Sequence, residues 1–464
     1  MARESGPFWR AIGVETEFGV VIENPDGTSS FAPRYEDCPN SSCNFDNGDR
    51  RYLDVGKHPE GATGEVTTPL ELMYAVEANY RLVRRHLVRG GANGVSKLYA
   101  NNGPPGSCGP KLDDVTWSRH RNYMLLPDTD LLALHGFVEA YQISEILLLG
   151  SGHSTTDGRQ SFLSPRAPHI VNLIGSQTTG NRPLHNTRDE PLAGGGYMRF
   201  HDTALGNAQI LPRLTAVGAG AMLGVLALLE TDCPEPPILS DPLESLHELN
   251  RNPAALLELE SGELVTALEI QRWYFDRVYD LVVSAGDEAA HLLPWIIEWG
   301  ELLDALGRSF DPADLVGKLD WATKRYMQLG WLERHPRPTS PNELIAWRKQ
   351  YTALELSMHE ISVEEDPPST RERIIKGHLD ESLVRAAMER NVSDATRARV
   401  RSWFVRALAH RGDHTIDWQN VNARIDGCPK RYFHLPDPLD PNPSPEMVEF
   451  VQSINPGYPL LDVL

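Results

Sequence analysis

An α+β fold is predicted by two features of this 464-residue sequence. Residues 9–55 combine period-2 alternation with turn-rich connections, whereas the apolar spacing becomes mainly helical from Leu132 onward. The length exceeds the roughly 100–200 residues of a typical domain. We therefore expect a large domain over residues 1–394, with strands early and helices after them, and a small C-terminal domain over residues 395–464.

The predicted strands lie early in the chain. Residues 9–22 alternate carboxylates with apolar positions, which is the pattern of a half-buried strand. Residues 25–48 are rich in Asn, Asp, Pro, Ser and Gly and are predicted to form a loop. Further short strands are predicted at residues 51–55, 97–100 and 123–127.

The predicted helices carry apolar residues at helical spacing. The first ends before the Gly90-Gly91 pair, which is a typical stop signal. The proline-rich stretch 436–445 is predicted to be extended, because proline cannot continue a helix or a central strand. The helices are predicted at residues 69–88, 203–229, 267–283 and 292–306, with a helical trend over residues 325–358.

Composition narrows the class of protein. The formal charge of −20 argues against general nucleic-acid binding, since phosphate contacts dominate that affinity. The best apolar stretch, residues 216–229, is shorter than the ~20 residues of a membrane span and is predicted to be a buried helix. The N-terminus shows no secretory pattern, and the five cysteines form no C-x-x-C pair. A cytoplasmic protein that binds neither membrane nor nucleic acid is expected.

Two carboxylates on the first predicted strand are the first candidate site residues. Glu15 and Glu17 are two residues apart, so their side chains point to the same face of a strand. Buried together without a counter-ion they would cost several kcal/mol. Mg²⁺ is a suitable partner because it prefers oxygen ligands and leaves room for phosphates. A solvated strand face is the simpler alternative for these two residues taken alone.

A second polar cluster favours the metal site. Tyr52 and Asp54 share a face of the next strand, and Glu60 follows a His-Pro turn. Arg50 and Thr63 flank this segment, and an arginine fork can bind a phosphate through two hydrogen bonds. Together the two clusters predict a sheet that holds a metal ion and ATP.

These residues stand in segments that resemble the family of Pup ligases and depupylase–deamidases. The resemblance follows the family's order along nearly the whole chain. It implies a glutamine-synthetase-like fold, in which a curved antiparallel sheet packs on helices, and membership of the carboxylate–amine ligases. The matching segments are GVETEFGV at 13–20, RYLDVGKHPEGAT at 51–63, NRPLHNTRDEP at 181–191, LEIQRWY at 268–274, LDWATKR at 319–325, TRARVR at 396–401 and IDW at 416–418.

The resemblance also implies roles for individual residues. Asp54 matches the catalytic base, and Glu15, Tyr52 and Glu60 match metal-binding positions, to which the i+2 spacing adds Glu17. The implied cofactors are ATP and Mg²⁺, and the implied partners are a small disordered modifier, Pup or a similar protein, and proteins that carry the acceptor lysine. The implied nucleotide-binding residues are Arg50, Thr63, Arg188, Arg199 and Trp418.

Three activities remain open at this point. The first is a ligase that forms an isopeptide bond between a modifier glutamate and a lysine through an acyl phosphate. The second is a depupylase or deamidase that uses the same nucleotide site, and the third is an ATPase or a non-catalytic relative. The segment VGKHPE at 55–60 and the short stretch 20–50 favour the ligase.

Some residues depart from the family pattern. The family's H-E-N-Y-L segment is HRNYM at 120–124, which puts Arg121 in place of a glutamate. A fixed cation there is predicted to replace a metal ion or to contact a phosphate. The residue after His-Pro-Glu, usually aromatic in the family, is Gly61.

Overall fold

A computed structural model describes residues 6–23, 29–32, 42–89, 94–103, 116–178, 182–188, 190, 192–202, 205–362, 368–409, 413–424 and 430–461. Eighteen strands lie within these ranges. They are β1 (Ile12–Glu17), β2 (Gly19–Glu23), β3 (Ser29–Ala32), β4 (Cys43–Asn44), β5 (Arg50–Leu53), β6 (Pro59–Ala62), β7 (Val95–Tyr99), β8 (Arg119–Leu125), β9 (His153–Ser154), β10 (Ser161–Phe162), β11 (Asn172–Gly175), β12 (Pro183–Asn186), β13 (Met198–Asp202), β14 (Leu256–Glu258), β15 (Leu264–Thr266), β16 (Asp413–Ile416), β17 (Asn420–Arg424) and β18 (Arg431–His434).

Helices make up most of the remaining described chain. Capping boxes start several of them, for example Thr68 with Glu71 and Thr266 with Glu269. The α-helices are α1 (Pro69–Arg84), α2 (Leu131–Ser144), α3 (Ile146–Leu149), α4 (Pro212–Leu229), α5 (Pro242–Arg251), α6 (Ala267–Ala285), α7 (Leu293–Arg308), α8 (Pro312–Leu315), α9 (Asp320–Arg334), α10 (Pro341–Ser357), α11 (Thr370–Ile375), α12 (Glu381–Glu389), α13 (Ala398–Leu408) and α14 (Pro445–Ile454).

A six-stranded antiparallel sheet with the order β13-β8-β1-β6-β5-β4 forms the centre of the molecule. Strand β1 alternates buried and half-buried residues, so Ile12, Val14 and Thr16 face the helices. Helix α1 packs on this face and is covered in turn by α4 and α12. The other face carries Glu15 and Glu17.

The predicted strand over residues 9–22 is two strands. Phe18 separates β1 from β2 and is fully buried. Strand β2 joins a second sheet with the order β3-β2-β7. Period-2 alternation does not reveal this break, because residues on both sides of it keep their apolar pattern.

Helix α4 is the apolar helix expected from the sequence. By length and composition it could cross a membrane, but 89% of its apolar window is buried inside the protein. It packs against α1, α6 and α7. Burial of this kind is typical of the core helix of a globular protein.

The described residues form two large hydrophobic cores and a small cluster of Ala11, Met124 and Leu439. The larger core includes residues from Phe8 to Met388, and a separate core of residues from Val400 to Leu461 lies under the sheet β16-β17-β18. The boundary at 394/395 stays a prediction, since hydrophobic contacts alone do not define an independently folding unit.

A buried ion-pair cluster joins the C-terminal helix α13 to the central sheet. Glu65 follows β6, and its carboxylate accepts a hydrogen bond from Arg397 Nε at 2.8 Å and from Arg401 Nη1 at 3.1 Å. Arg401 also donates to the Trp418 carbonyl at 3.0 Å, and Arg397 donates to the Leu435 carbonyl at 2.7 Å. The Glu65 carboxylate therefore holds Arg397 and Arg401 beside the end of β6, and these two arginines in turn hold the backbone at Leu435 and Trp418.

Gly61 allows α1 to approach the sheet closely. A Cβ atom at this position would lie 2.2 Å from Asn79 Oδ1 and 2.7 Å from Val83 Cγ2. The Asn79 amide donates to the Ala62 carbonyl at 3.2 Å and to the Asp49 carboxylate at 3.1 Å. Asn79 thus occupies the space that a side chain at position 61 would take.

We expect Gly61→Ala to lower the free energy of unfolding by about 1–3 kcal/mol, because it overpacks a rigid contact. Gly136→Ala is the matched control, since this exposed glycine of α2 has no atom within 4 Å of the new Cβ. The control should be stabilised by up to about 1 kcal/mol through helix propensity. Urea unfolding measures both, and equal stabilities for the two variants would contradict the close packing at Gly61.

Glu65→Gln should lower stability by about 3–5 kcal/mol at neutral pH, because it leaves two buried guanidinium groups without their anion. Burial raises the pKa of Glu65, but Arg401 and Arg397 outweigh it and bring the pKa from 4.5 to about 2. The folded state therefore binds this proton more weakly than the unfolded state. The stabilisation is present above the unfolded pKa and is lost as the pH falls towards 2.

The acid limb of a stability–pH curve should accordingly be shallower in Glu65→Gln than in the natural protein. Glu381→Gln is the control, because Glu381 also forms an ion pair with an arginine, Arg81, but its side chain is 61% exposed. An exposed pair contributes at most about 1 kcal/mol. Equal losses in the two variants would show that the Glu65 cluster does not hold α13 in place.

Candidate active site

The cleft face of β1 carries the central carboxylates of the site. The register with β8 pairs Glu15 with His120 and Gly13 with Asn122, so these side chains share one face. His120 Nδ1 lies 3.6 Å from Glu15 Oε2, and Asn122 Nδ2 lies 3.4 Å from Glu15 Oε1. His201, on the neighbouring β13, places its ring edge-on to His120 with centroids 5.1 Å apart.

Glu15, His120 and His201 form a group able to hold a metal ion. One ligand atom from each lies within 4.8 Å of the others. Both ring nitrogens of His201 and Nε2 of His120 are buried without a hydrogen-bond partner among the described residues. Burial lowers the pKa of His201 well below its usual range, which keeps the ring neutral, as a metal ligand must be.

The charge state of Glu15 also suits a cation. Burial raises the pKa of Glu15, but the His120 hydrogen bond and the nearby His201 and Arg199 bring it down to about 2. Glu15 is therefore ionised at any physiological pH. An ionised carboxylate beside two imidazole rings is a donor set for a divalent cation.

A second carboxyl group lies one strand away. Glu60 pairs in register with Glu17 of β1 and with Tyr52 of β5. The Tyr52 hydroxyl donates to Glu60 Oε1 at 3.3 Å. Burial, and then the Glu15 and Glu17 carboxylates, raise the pKa of Glu60 well above its usual range. Protons or metal ions must balance this concentration of negative charge.

Asp54 is held at the start of the turn after β5. Its carboxylate accepts the Gly56 N–H at 2.9 Å and the His58 N–H, while the Asp54 N–H donates to the His58 carbonyl at 3.0 Å. Lys57 closes the turn with φ +67°. Burial, and then the adjacent Asp54 carboxylate, raise the pKa of Glu17 well above its usual range. Asp54 thus has a fixed orientation beside Glu17.

A cleft opens beside β1 at the end away from Glu17. It has a volume of about 90 Å³ and brings together Glu15, Thr63, Arg199 and Trp418 of the predicted site. Its remaining lining is largely apolar and comes from Ala11, Ile12, Gly13, Val14, Ala62, Glu65, Asn122, Tyr123, Met124, Leu192, Ala193, Tyr197, Met198, Arg397 and Pro438. An apolar cleft with a few polar groups is the usual form of a small-molecule site.

Trp418 is held in this cleft by two cations. The Arg50 guanidinium lies 5.2 Å and the Arg401 guanidinium 5.0 Å from its ring centroid. The Thr63 hydroxyl accepts the Val14 N–H at 3.1 Å, which ties the cleft floor to β1. Arg50 also lies 6.0 Å from the Tyr52 ring and so connects the cleft to the carboxyl cluster.

Arg199 and Arg188 lie at the edge of the cleft. Arg199 is mostly buried on β13, 3.9 Å from the Glu190 carboxylate, and Arg188 lies 3.6 Å from the same group. Burial lowers the pKa of Arg199, and Glu15 is the strongest of the nearby anions that oppose this shift. The ten residues predicted for the site therefore lie in one connected region around β1.

Arg121 does not lie in this region, and the prediction that it replaces a metal ligand or contacts a phosphate is wrong. The register pairs it with Val14, so it faces the helices. There it forms ion pairs with Glu145 and Asp202. The family motif identified Arg121 as the residue that differs. It did not show on which face of the sheet the side chain lies, because that face depends on the register of β8 against β1.

Sequence reasoning missed His120, Asn122, His201 and Arg166. The first two occupy alternate positions of β8 and so share a face, but the strand predicted from the sequence began only at residue 123. His201 and Arg166 come from distant segments, and only the folded chain brings them to β1. Arg166 is buried, and burial lowers its pKa while the charge of the Glu17 carboxylate opposes that shift.

Comparison with known proteins agrees with this architecture. The family model described as Pup-ligase protein matches residues 30–422. A Pup–protein ligase of Acidimicrobium ferrooxidans is 31% identical over 460 residues, covering 93% of this chain and 96% of that protein. The Pup–protein ligase of Paenarthrobacter aurescens is 30% identical over 445 residues, covering 89% and 92%.

Two solved structures share the fold. The ligase PafA in complex with Pup has a TM-score of 0.80 at 22% identity, covering 99% of this chain and 95% of that chain. PafA in complex with ADP has a TM-score of 0.75 at 23% identity, covering 92% of each chain. The α+β fold and the ligase class predicted from the sequence are confirmed, and the chain belongs to the Pup ligase family.

Proposed function

We propose that this protein is an ATP- and Mg²⁺-dependent ligase that joins a glutamate side chain of Pup, or of a similar small modifier, to a lysine of another protein. The observation that carries the proposal is the order of groups along β1. The cleft with Trp418 is next to Gly13, the metal-binding group includes Glu15, and Asp54 is next to Glu17. A nucleotide, its phosphates and an acceptor would meet these groups in that order.

The cleft supports the nucleotide assignment. Trp418 offers an aromatic face, and Arg50 and Arg199 offer guanidinium groups for phosphates. Arg188, at the rim, adds a further cation. Residues 395–464 would contribute Trp418, so both proposed domains form the nucleotide site.

Two sets of ligands support divalent cations. The first set consists of Glu15, His120 and His201. The second set consists of Glu17, Tyr52 and Glu60, and the raised pKa values of its two carboxyl groups indicate a concentration of negative charge that a cation would relieve. When bound, Mg²⁺ would neutralise charge on the transferred phosphoryl group. The protein's part is to hold these oxygens and nitrogens in place before the substrate arrives.

Asp54 supplies the base. In the first step the modifier's γ-carboxylate attacks the γ-phosphorus of ATP, which gives an acyl phosphate and ADP. In the second step the lysine nitrogen attacks the acyl carbon, phosphate leaves, and the nitrogen loses a proton. Asp54 would accept that proton, because its orientation is fixed by the N–H groups of Gly56 and His58.

Incubation with ATP, Mg²⁺, Pup and a lysine-containing protein tests the activity. Mass spectrometry should find an isopeptide bond together with one ADP per bond. Release of Pup from a preformed conjugate without ligation would instead identify a hydrolase that uses Asp54 to activate water. ADP release alone would identify an ATPase.

Asp54→Asn should reduce turnover at least about 100-fold, because the amide cannot accept the lysine proton. Binding of ADP, measured by calorimetry, should change little, since Asp54 does not line the cleft that holds Trp418. Asp394→Asn is the control, because this carboxylate is 93% exposed and pairs only with Arg399 among the described residues. Full turnover in Asp54→Asn would refute its assignment as base.

Glu15→Ala and His201→Ala should each weaken Mg²⁺-dependent ATP binding by roughly 10-fold or more, because each removes a ligand from one metal site. The same variants should bind ATP without Mg²⁺ about as the natural protein does. His335→Ala, at an exposed histidine stacked on Trp331, is the control. If both variants kept the natural Mg²⁺ dependence, the metal site at β1 would be excluded.

A further inference from the structure

The turn after β5 carries two exposed side chains directly after Asp54. Val55 is 85% exposed, the largest exposed fraction of any large hydrophobic residue in the described ranges. Lys57 is also exposed and forms no ion pair with another described residue. A single exposed valine is ordinary on a protein surface, so the position of these side chains has to carry the argument. We call residues 55–57 the tip of the turn.

The backbone holds the tip in one conformation. The Asp54 carboxylate accepts the Gly56 N–H at 2.9 Å and also the His58 N–H. The Lys57 N–H donates to the Asp54 carbonyl at 3.2 Å, and the Asp54 N–H donates to the His58 carbonyl at 3.0 Å. The Cβ atoms at positions 55 and 57 are therefore fixed relative to Asp54 before a substrate arrives, which reduces the entropy lost on binding.

The glycine of the tip is not at the position where φ is positive. Lys57 has φ +67°, a left-handed conformation that glycine adopts at lower cost than lysine. Gly56 is needed for a different reason, since a Cβ atom there would lie 2.8 Å from Asp54 Oδ2 and 3.0 Å from His58 Cδ2. The Lys57 side chain thus costs backbone strain and forms no hydrogen bond or ion pair with the described residues. Strain of this kind points to a contact with another molecule.

The order of the proposed reaction identifies that molecule. Asp54 accepts the proton from the lysine nitrogen in the second step, so the acceptor protein has to bring its lysine to the turn that carries the tip. The nucleotide cleft lies at the other end of β1, and neither Val55 nor Lys57 lines it. An ammonium group on the tip attracts carboxylates on an approaching surface and repels lysines and arginines.

Resting on the proposed function, we infer that the tip contacts the acceptor protein and that Lys57 favours acceptor lysines with acidic neighbours. Val55 supplies an apolar contact that does not distinguish between charges. Lys57 is then a specificity-determining residue for the second step and takes no part in the first. Its charge acts on groups close to the acceptor lysine, since salt screens exposed charges beyond about 10 Å at 0.1 M ionic strength.

The test uses a lysine-free carrier protein with one lysine in a flexible tail, flanked either by aspartates or by arginines. Lys57→Gln should lower the ratio of kcat/KM for the aspartate form to that for the arginine form by roughly 2- to 5-fold, the range of an exposed ion pair. Lys57→Glu should lower the ratio further, and Lys57→Arg should keep it. Flanking charges also change the reactivity of the acceptor lysine itself, but that effect is common to all enzyme variants and cancels. An unchanged ratio in Lys57→Glu would overturn the inference.

Hydroxylamine separates the acceptor from the modifier. It attacks the acyl carbon of the modifier's acyl phosphate in place of lysine, phosphate leaves, and a hydroxamate forms. Because hydroxylamine has no neighbouring residues, its rate should be the same in the natural protein, Lys57→Glu and Val55→Ser. Val55→Ser should raise the KM for both carrier forms by the same factor, since both lose the apolar contact. A change in the KM for Pup in Lys57→Glu would place the tip against the modifier and overturn the inference.

Stability and nucleotide binding show that the tip variants are intact. Lys57→Gly should unfold at a urea concentration equal to or above that of the natural protein, because glycine relieves the left-handed backbone. ADP affinity, measured by calorimetry, should be unchanged in every tip variant.

Lys349→Glu, at an exposed lysine of α10, is the matched control for charge. It should leave the ratio of the aspartate form to the arginine form unchanged. A change as large as that in Lys57→Glu would assign the effect to net charge and overturn the inference. If the natural protein formed neither conjugate nor hydroxamate, the proposed function would be refuted and the inference with it, whereas conjugates formed at a ratio that ignores Lys57 overturn the inference alone.

Discussion

Repulsion among four carboxyl groups is the constraint that organises this molecule. Glu15, Glu17, Asp54 and Glu60 meet on one face of the central sheet, where burial makes each charge costly without a cation. Hydrogen-bond donors held in place by the surrounding structure reduce this repulsion. The turn after β5 gives Asp54 two backbone N–H groups, and β8 and β13 bring histidines to Glu15. Helix α1 supports the sheet from the opposite face.

The same sheet also positions the cleft that contains Trp418. The Glu65 carboxylate lies just past β6, so the strand that carries Glu60 leads directly to the ion pairs with Arg397 and Arg401. Because Arg401 also contacts Trp418, the aromatic wall of the cleft is fixed relative to the carboxylates. The position of Trp418 in the cleft therefore depends on an ion-pair cluster whose members Glu65 and Arg397 also line the cleft.

Local sequence patterns predicted the parts of this structure that depend on local periodicity. Alternation placed Glu15 with Glu17 on one face, and apolar residues at helical spacing marked α1, α4, α6 and α7. Register between strands is not a local property, so the face of Arg121 was wrong and the approach of His201 was missed. Arg166 was missed for a related reason, since its burial depends on contacts between distant segments of the chain. Family resemblance implied nucleotide-binding roles for Trp418 and Arg188, which spacing alone did not indicate.

Gly61 shows how one missing side chain fixes the identity of another residue. Asn79 enters the space above Gly61 and uses it to bond Asp49 and the Ala62 carbonyl. A relative with an aromatic ring at position 61 has no room for this amide and must bring a smaller residue on α1. Positions 61 and 79 should therefore vary together through evolution, and Asp49 should become free to change once its partner is gone. A residue that departs from the family pattern on the sheet, such as Gly61, therefore predicts a matching change at the position of α1 that contacts it.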